Sequence, residues 1–314
     1  MSSRYAVGIV HYHAYPDLDA CLESLSRQRL LPERVVIVDV DPDPLARAAL
    51  PDRPSLVWLD AANRGFAGGA NLALGVLREE TGAEYLLVLN PDTVLEPGFA
   101  EGLVEAMDAR PRVAIATGKL LRRDGRIDSA GIRLPRHRRP RDRGSEERDD
   151  GRYEQPELVF AASGAAMMIR RAALAELAIE GEVFDEDFFM YHEDTDLCWR
   201  AGLLGWQVLY VPSARAVHDR TWVRARRFEM PAGIRRHSFK NHYLQLIKNE
   251  SPGGFAVNLP ILASWEVLRL GFALLRDREL LAGYADAWRL SRRAWHKRRV
   301  IRSARARSLA EISA

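Results

Sequence analysis

The apolar run Tyr85–Leu89, followed by Asn90-Pro91-Asp92-Thr93, is the feature that most constrains the fold of this chain. Five apolar residues bounded by turn-forming residues predict a strand buried on both faces, typical of the centre of a parallel sheet. Asp92 then lies just past the carboxyl end of the strand, where open α/β sheets bind ligands. A carboxylate there is well placed to hold a metal ion together with the phosphates that the ion binds. The alternative is that Asp92 caps the helix expected near Pro97 and Gly98, because Asp is a preferred capping residue.

The residues before this strand alternate between strand and helix patterns. Strands are predicted at Tyr5–His11, Arg34–Val40 and Ser55–Leu59, and helices at Asp17–Gln28 and Gly69–Arg78. This alternation predicts an α/β fold with a mainly parallel, Rossmann-like sheet and right-handed crossovers. No Gly-x-Gly-x-x-Gly motif follows the first strand, which disfavours an ordinary dinucleotide-binding domain.

Composition and charge narrow the class further. A chain of 314 residues with 47% hydrophobic content is expected to form one large domain with an appendage. Nine Lys or Arg and no acid fall between Arg289 and Arg307, so the rest of the chain carries 3 − 9 = −6 charges. Cys21 and Cys198 lie in predicted helices, so a disulfide framework is not expected and a reducing cytoplasm is the default. No signal-peptide pattern precedes the first strand.

Two segments of the N-terminal half carry candidate ligand contacts. Asp39 ends the second strand, where its carboxylate could accept a hydrogen bond from a base edge or a ribose hydroxyl; the alternative is a strand-end turn. In Asn63–Asn71, three glycines are expected to precede a helix. Glycine permits close backbone approach and a helix N-terminus favours anions, so the loop could cradle a diphosphate or its sugar.

Several motifs in fixed order carry a family resemblance. The motifs are Asp39, Asn63–Asn71, Leu89–Thr93, Ser163–Ala165, Phe188–Leu197 and Val217–His218. Together they resemble the inverting family-2 glycosyltransferases of the GT-A fold, and within them the rhamnosyltransferase-like branch. The resemblance covers about residues 5–250. It departs after the second strand, where Val40-Asp41-Pro42 replaces the family's usual Asn-Ala/Gly-Ser.

The resemblance implies a GT-A domain over residues 1–250 that transfers a sugar with inversion from a nucleotide-diphosphate donor to a hydroxyl. The expected donor is dTDP-rhamnose, with UDP- or GDP-sugars as alternatives, and the expected acceptor is a glycan or a polyprenyl-linked glycan. Departure of the diphosphate calls for a divalent cation, Mg²⁺ or Mn²⁺. Asn90-Pro91-Asp92 corresponds to the family's Asp-x-Asp motif, so Asp92 is the expected metal ligand. His218 stands at a further metal-ligand position, although a lone His is more often structural.

Inversion also requires one base opposite the leaving group. Asp194 is the expected base, in a cluster that opens a helix predicted at Asp194–Ala201. Its position near the positive end of the helix dipole favours an ionised carboxylate. Glu193 is the second catalytic candidate; helix capping is assigned to Glu193 or Asp196.

The other site residues follow from family positions. Contacts with the nucleotide sugar are expected from Tyr12, Asp39, Asn63, Gly65, Phe66, Asn71, Asn90 and Asp92. The donor or acceptor sugar is expected at Ser163, Gly164 and Trp222, and phosphate at Arg235 and Arg236. An ordinary β-bend is an equal alternative for Ser163-Gly164. Residues 134–152 hold seven Arg and five acids, which predicts a mobile loop on the acceptor side.

Residues 251–314 are predicted to form a helical basic tail. The uncharged run Ser251–Trp265 falls short of the roughly 20 residues that a membrane span needs. Amphipathic helices beside a cationic cluster favour attachment to an anionic membrane surface, at the cytoplasmic face of the plasma membrane. A homodimer interface and a basic arm for nucleic acid are the alternatives.

Two other functions were weighed. A sugar-phosphate nucleotidyltransferase would need a basic phosphate-gripping motif near the N-terminus, and none is present. A nucleic-acid-binding protein would use the tail but would give no role to Asp92, Asp194 and His218. No nucleic-acid partner is therefore expected.

Overall fold

The computed structural model describes residues 4–51, 56–218 and 228–312 of the chain. The strands are β1 (Tyr5–His11), β2 (Val35–Asp39), β3 (Leu56–Asp60), β4 (Tyr85–Leu89), β5 (Thr93–Leu95), β6 (Val113–Leu121), β7 (Ile127–Ser129), β8 (Ile132–Arg133), β9 (Arg141–Asp142), β10 (Glu157–Leu158), β11 (Ala166–Arg170) and β12 (Gln207–His218). The α-helices are α1 (Tyr15–Ser26), α2 (Pro44–Ala48), α3 (Gly65–Glu80), α4 (Phe99–Asp108), α5 (Leu174–Leu177), α6 (Glu193–Leu203), α7 (Ala232–Asn249), α8 (Pro252–Leu275) and α9 (Glu279–Ile312).

The central sheet has the order β10-β12-β6-β11-β4-β1-β2-β3. β3, β2, β1 and β4 are mutually parallel, which confirms the Rossmann-like half predicted from the alternating pattern. β11 runs antiparallel between β4 and β6, and β12 runs parallel to β6. The end of β12 also pairs with the short strand β5. The carboxyl ends of β1, β2 and β4 therefore meet at one edge, next to the end of β12.

β4 is buried on both faces, as predicted. Leu86 and Val88 pack into a core that includes the apolar side of α3. Leu87 and Leu89 point to the opposite core, which α1 and α4 cover. Because side chains alternate across a strand, one short apolar run supplies both cores and fixes the middle layer of the fold.

The segment 134–152 is packed against the domain, while its predicted mobility stays a prediction. β9 within it pairs with β8, and backbone hydrogen bonds join Ile127 to Glu146 and Glu147. Lys119 is fully buried in ion pairs with Asp149, at 2.9 Å, and Glu154. Backbone pairing and buried ion pairs thus supply the packing that the missing apolar residues would otherwise provide.

The C-terminal helix α9 is anchored to the rest of the fold by buried charges. Nζ of Lys297 donates to Asp185 at 2.5 Å and to Asp187 at 3.0 Å. Lys248 of α7 donates to the same Asp185 and, at 2.8 Å, to Asp196 of α6. Part of the basic stretch is therefore buried in ion pairs inside the protein.

α8 is a continuous helix that runs past Trp265, where the uncharged run ends. Within the described residues it is the one helix that is long and apolar enough to be a candidate membrane span. Most of its apolar stretch is not buried inside the protein. The prediction that this region is too short to span was therefore wrong as to length. One face of α8 packs on the protein, since Glu266 accepts hydrogen bonds from Tyr243 and Tyr284, and Arg269 lies 4.3 Å from the ring centre of Phe239.

We expect Lys297→Met to lower the free energy of unfolding by about 3 kcal/mol, because it leaves buried carboxylates with one cation fewer. Urea denaturation followed by circular dichroism measures the change. Arg299→Met is the matched control, since Arg299 is the exposed neighbour on the same helix, and it should change stability by less than about 0.5 kcal/mol. Equal losses in the two variants would contradict the anchoring role of Lys297.

Candidate active site

Asp92 and His218 are brought together by the pairing of β5 with β12. Thr93 and His218 are directly opposed in this antiparallel ladder, so the residue before Thr93 lies beside the imidazole. Nε2 of His218 is 3.4 Å from Oδ1 of Asp92. Nδ1 of His218 is 2.8 Å from Oδ2 of Asp128, a fully buried carboxylate. Asp128 thus orients the ring and leaves Nε2 directed at Asp92.

This pair fits a hard divalent cation. Oδ1 of Asp92 is buried and makes no hydrogen bond, and a carboxylate oxygen beside an imidazole nitrogen is a donor set that Mn²⁺ and Mg²⁺ accept. Within the described residues, no group of three or more His, Cys, Asp or Glu side chains could hold a metal by itself. The remaining ligands would come from substrate phosphate oxygens and water, as in many Mg²⁺ sites.

The electrostatics of His218 agree with such a site. Burial lowers the pKa of His218, but the hydrogen bond to Asp128 and the nearby carboxylate of Asp92 raise it to about 9. The imidazole therefore carries a proton between the two acids at neutral pH. A divalent cation in place of this proton would balance the charges of the two carboxylates. Metal and proton therefore compete for Nε2.

Asp194 lies in the first turn of α6 and is held by two backbone amides. The amide of Gly164 donates to Oδ2 of Asp194 at 3.0 Å, and the amide of Thr195 donates to Oδ1 at 2.6 Å. A Cβ atom at Gly164 would lie 3.3 Å from Cβ of Asp194, so the bend packs tightly against the acid. Donors to both oxygens favour an ionised carboxylate.

The bend at Ser163–Ala165 also contacts the Asn90–Thr93 motif. The carbonyl of Ala165 accepts a hydrogen bond from the amide of Asn90 at 2.9 Å. Asp194 and the Asn90–Thr93 motif therefore contact the same three-residue bend from its two sides. The motifs around positions 92, 163, 194 and 218 are therefore linked through this bend, while the roles predicted for their side chains stay predictions.

Glu193 differs sharply from its neighbour. Its side chain is buried, and Oε2 makes no hydrogen bond. Burial raises the pKa of Glu193 well above its usual range, and the charge of Asp194 raises it further. Two adjacent carboxyl groups thus differ in environment, which is the arrangement by which one acid stays neutral while the other stays ionised.

Neither Glu193 nor Asp196 caps α6, so the capping assignment is wrong. The N-cap is His192, and no side chain caps the helix there. Asp196 instead accepts hydrogen bonds from Arg200, Lys248 and Asn249. Buried cations bind this carboxylate more strongly than backbone amides would.

The backbone before α6 is strained and is held in place by Asn241 of α7. Phe189, Tyr191 and His192 all have φ between 66° and 70°, a region that costs non-glycine residues about 1–3 kcal/mol each. Nδ2 of Asn241 lies within 2.7–2.9 Å of the carbonyl oxygens of Phe188, Met190 and Tyr191. The amide therefore fixes the turn that presents Asp194.

The donor-side residues are only partly accessible. Asp39 is fully buried, where its carboxylate meets Nδ1 of His11 at 3.1 Å and the hydroxyl of Tyr15 at 2.8 Å. Its predicted contact with a base or ribose stays a prediction. Tyr12 is 55% exposed just past β1, and its ring lies against His13.

The glycines of Asn63–Asn71 serve packing. α3 begins at Gly65, so the prediction that the glycines precede the helix is wrong. Gly65 has φ +71°, and a Cβ atom there would lie 2.2 Å from the carbonyl oxygen of Phe189. A Cβ atom on Gly69 would lie 2.6 Å from Val10. These glycines let α3 approach β1 and the strained turn.

The polar and aromatic residues of the same motif also contact the protein. The amide of Asn71 exchanges hydrogen bonds with the backbone of Phe184, at 2.7 and 2.8 Å. Phe66 packs edge-on against the ring of Phe184. Oδ1 of Asn63 accepts from the amide of Gly65 at 2.9 Å. The predicted contacts of these residues with the donor remain predictions. The structure shows that each of Asn63, Gly65, Phe66 and Asn71 also contacts other parts of the protein.

The predicted phosphate ligands Arg235 and Arg236 both form ion pairs within the protein, and their contact with phosphate stays a prediction. Arg235 pairs with both carboxylate oxygens of Asp277, at 2.9 and 3.1 Å. Arg236 pairs in the same way with Asp286. Arg235 therefore contacts the link between α8 and α9, and Arg236 contacts α9. Trp222 lies outside the described residues.

Two residues of this site were missed by the sequence analysis. Asp128 is 90 residues from His218, and nothing in its local pattern distinguishes it from a surface acid. Asn241 is one of many polar residues on α7, and nothing in the helix sequence distinguishes it from the others. Only the long-range packing of β7 and α7 reveals either role, so no single-sequence signal would have found them.

Comparison with known proteins adds independent observations. The model of the family described as Glycosyl transferase family group 2 matches residues 85–237. The N-acetylglucosaminyl-diphospho-decaprenol L-rhamnosyltransferase of Mycobacterium tuberculosis is 31% identical over 242 residues, covering 70% of this chain and 77% of that protein. Rhamnosyltransferase WbbL of Escherichia coli is 24% identical over 182 residues, covering 52% of this chain and 64% of that protein.

A solved structure shows the same fold. The mannosyltransferase of Pyrobaculum calidifontis, in complex with GDP-Man and Mn²⁺, superimposes with a TM-score of 0.52 and 16% identity. The alignment covers 98% of this chain and 87% of that protein, so the likeness includes the C-terminal helices.

We expect Asp128→Asn to weaken Mn²⁺ binding about 10–100-fold, since this carboxylate orients the ring of His218. Isothermal titration calorimetry with Mn²⁺, in the presence of a nucleoside diphosphate, measures the change. Asp124→Asn, an exposed acid of the same hairpin, is the control and should bind Mn²⁺ like the unmodified protein. Unchanged affinity in the Asp128 variant would remove His218 from the metal site.

Proposed function

We propose that this chain, which belongs to the family-2 glycosyltransferases of the rhamnosyltransferase type, transfers a sugar from a nucleotide-diphosphate donor to a hydroxyl of a lipid-linked glycan. The 31% identity to a rhamnosyltransferase supports dTDP-rhamnose as the donor and an N-acetylglucosaminyl-diphospho-lipid as the acceptor. The observation that carries the proposal is the convergence of the Asp92–His218 pair and Asp194 on the bend at Ser163–Ala165.

The proposed chemistry is a single displacement. A divalent cation held by Asp92 and His218 would neutralise the charge of the departing diphosphate. Asp194 takes the proton of the acceptor hydroxyl as its oxygen bonds to the anomeric carbon and the bond from that carbon to the diphosphate oxygen breaks. The configuration of the sugar inverts because the hydroxyl attacks opposite the leaving group.

The surroundings of Asp194 suit this role. The amides of Gly164 and Thr195 fix the orientation of the carboxylate, and hydrogen bonds of this kind favour its ionised form. Burial raises the pKa of Glu193, which favours its neutral form and so limits negative charge beside Asp194. The strained turn that Asn241 holds sets the base in place before substrates bind.

The two alternative functions are not favoured. The comparisons identify sugar transfer, and the N-terminal half shows no phosphate-gripping motif of a nucleotidyltransferase. Against a nucleic-acid role, Lys297 and Arg298 of the basic stretch are buried, and Arg293 pairs with Asp187 at 3.0 Å.

We also propose that α8 holds the protein on the cytoplasmic face of the membrane. One face of the helix is docked on α7 and α9, so the helix lies against the protein surface. The other face exposes Val267, Leu268 and Leu275, which are 65–83% exposed. Arg276 and Arg278 are exposed at the end of α8, which suits an anionic lipid surface.

The central test of the proposed function is a panel of sugar nucleotides with Mg²⁺ or Mn²⁺, including dTDP-rhamnose, UDP-sugars and GDP-sugars. Release of nucleoside diphosphate and transfer to octyl N-acetylglucosaminide are measured together. Turnover with dTDP-rhamnose is expected. Absence of turnover with every donor would overturn the proposal.

We expect Asp194→Asn to lower kcat about 10²–10⁴-fold, because the amide cannot accept the hydroxyl proton. Glu193→Gln is the matched control, since an amide resembles the neutral carboxyl that Glu193 already carries, and kcat should fall less than about ten-fold. Comparable losses in both variants would mean that the pair acts as a unit and that Asp194 alone is not the base.

We expect the triple variant Val267→Ser, Leu268→Ser and Leu275→Ser to lower partitioning onto anionic vesicles at least about ten-fold, since each buried methylene contributes about 0.8 kcal/mol. Vesicle flotation with phosphatidylglycerol measures the binding. The control carries Ser at the exposed positions Leu31, Leu45 and Leu72, and it should float like the unmodified protein. Equal partitioning of the two variants would exclude α8 as the membrane-binding face.

A further inference from the structure

A cationic cavity lies beside the active site and has no part in the chemistry described above. It measures about 310 Å³ and is lined by Arg133, Leu134, Pro135, His137 and Arg141. We call it the Arg133–Arg141 cavity. Its lining holds two guanidinium groups, an imidazole and two apolar side chains, and no carboxylate.

The two arginines of the cavity are placed against electrostatic preference. Arg133 and Arg141 are directly opposed in the β8–β9 ribbon, and like charges directly opposite each other destabilise a strand pair. Neighbouring arginines are neutralised, since Arg138 pairs with Glu250 and Arg143 with Glu157. In the described residues Arg133 and Arg141 have no such partner. An anion between them would remove the repulsion and form charge-assisted hydrogen bonds with both.

His137 completes the cavity as a neutral donor. Its Nδ1 accepts the backbone amide of Arg139 at 3.2 Å, which leaves the proton on Nε2. Burial lowers the pKa of His137, and the charge of Arg141 lowers it further, so the ring stays neutral. Its ring packs against Trp265 of α8, at 4.7 Å between centroids.

The cavity lies between the bend at Ser163–Ala165 and α8. On one side, Ile132 exchanges backbone hydrogen bonds with Ala161, at 2.8 and 3.2 Å, two residues before Ser163. Two residues span less than about 7 Å of extended chain, so the ribbon begins close to the bend that holds Asp194. On the other side, Arg136 donates to Asn258 of α8 at 3.1 Å, beside the contact of His137 with Trp265.

From this placement we infer that the Arg133–Arg141 cavity binds the diphosphate of the lipid-linked acceptor, while the lipid lies along α8 and the sugar hydroxyl reaches Asp194. The inference rests on the proposed function for the identity of the acceptor. The donor's diphosphate has its own position at Asp92 and His218, so this second cationic site fits a second phosphate-bearing substrate. Two opposed arginines suit the several oxygens of a diphosphate better than a single carboxylate.

The first experiment measures binding without turnover. Farnesyl diphosphate and inorganic diphosphate are titrated calorimetrically in EDTA, so that no cation draws either ligand to Asp92 and His218. We expect the unmodified protein to bind farnesyl diphosphate at least about ten-fold more tightly than inorganic diphosphate, because the prenyl chain buries apolar surface. Arg133→Gln with Arg141→Gln should weaken both ligands at least about ten-fold, since both lose charge-assisted hydrogen bonds.

The control for this variant is Arg148→Gln, an exposed arginine of the same segment outside the cavity, which should bind both ligands like the unmodified protein. The double variant should also unfold at a temperature no lower than the unmodified protein, because it removes a like-charge pair. Equal binding of both diphosphates by the unmodified protein, with loss of both in the double variant, would identify a free-anion site and overturn the lipid-linked assignment. Unchanged binding in the double variant would show that the Arg133–Arg141 cavity does not bind the diphosphate.

The second experiment separates this inference from the proposed function. Sugar transfer is measured to N-acetylglucosaminyl-diphospho-farnesol and to octyl N-acetylglucosaminide, which lacks the diphosphate. The double variant should raise KM for the diphospho acceptor at least about ten-fold, with kcat changed less than about two-fold, and leave both parameters for the octyl acceptor unchanged. Equal losses with the two acceptors would overturn the inference. Failure of the unmodified protein to use any donor would overturn the proposed function, while calorimetry still decides whether the cavity binds a prenyl diphosphate.

Discussion

The burial of Lys248 between Asp185 and Asp196 is the constraint on which the active site depends. Burying any one of these charges alone costs several kcal/mol, so α6 and α7 must assemble together with the turn that carries Asp185. Burial raises the pKa of Asp185, but Lys248 and Lys297 hold it well below its usual range. The stabilisation is therefore present above the ordinary pKa of Asp, near 4, and is lost as pH falls below it.

This network makes the C-terminal helices part of the frame that holds α6 and the turn before it. Lys297 of α9 binds the same Asp185 that Lys248 binds, while Asn241 of α7 holds the strained turn before Asp194. The energy stored in that turn is offset by the packing of α7, which would be lost if the helices detached. The C-terminal tail is therefore an integral element of the fold, because α7 and α9 hold the turn that carries Asp185 and the turn before Asp194.

The parts of the fold that the sequence predicted are those with a local signal. The run Tyr85–Leu89 is apolar on both faces, so its central place follows from composition alone, and the motif after it follows from family position. The partner of His218 has no such signal, because Asp128 is 90 residues away and meets it only when β7 and β12 both pair with β6. The packing of 134–152 was equally hidden, since ion pairs such as Lys119 with Asp149 leave no hydrophobic pattern.

The difference between Glu193 and Asp194 shows why a cluster of acids in a sequence does not assign its own roles. Both carboxyl groups lie in the first turn of α6, so the helix dipole acts on them alike. What separates them is the bend at Gly164, whose amide reaches Asp194 and leaves Glu193 buried without a donor on Oε2. A Cβ atom at position 164 would lie 3.3 Å from Cβ of Asp194, so a side chain there would require the bend or the acid to shift by a few tenths of an ångström. The close approach of this bend, which in the sequence resembles an ordinary β-bend, thus gives the two acids different environments.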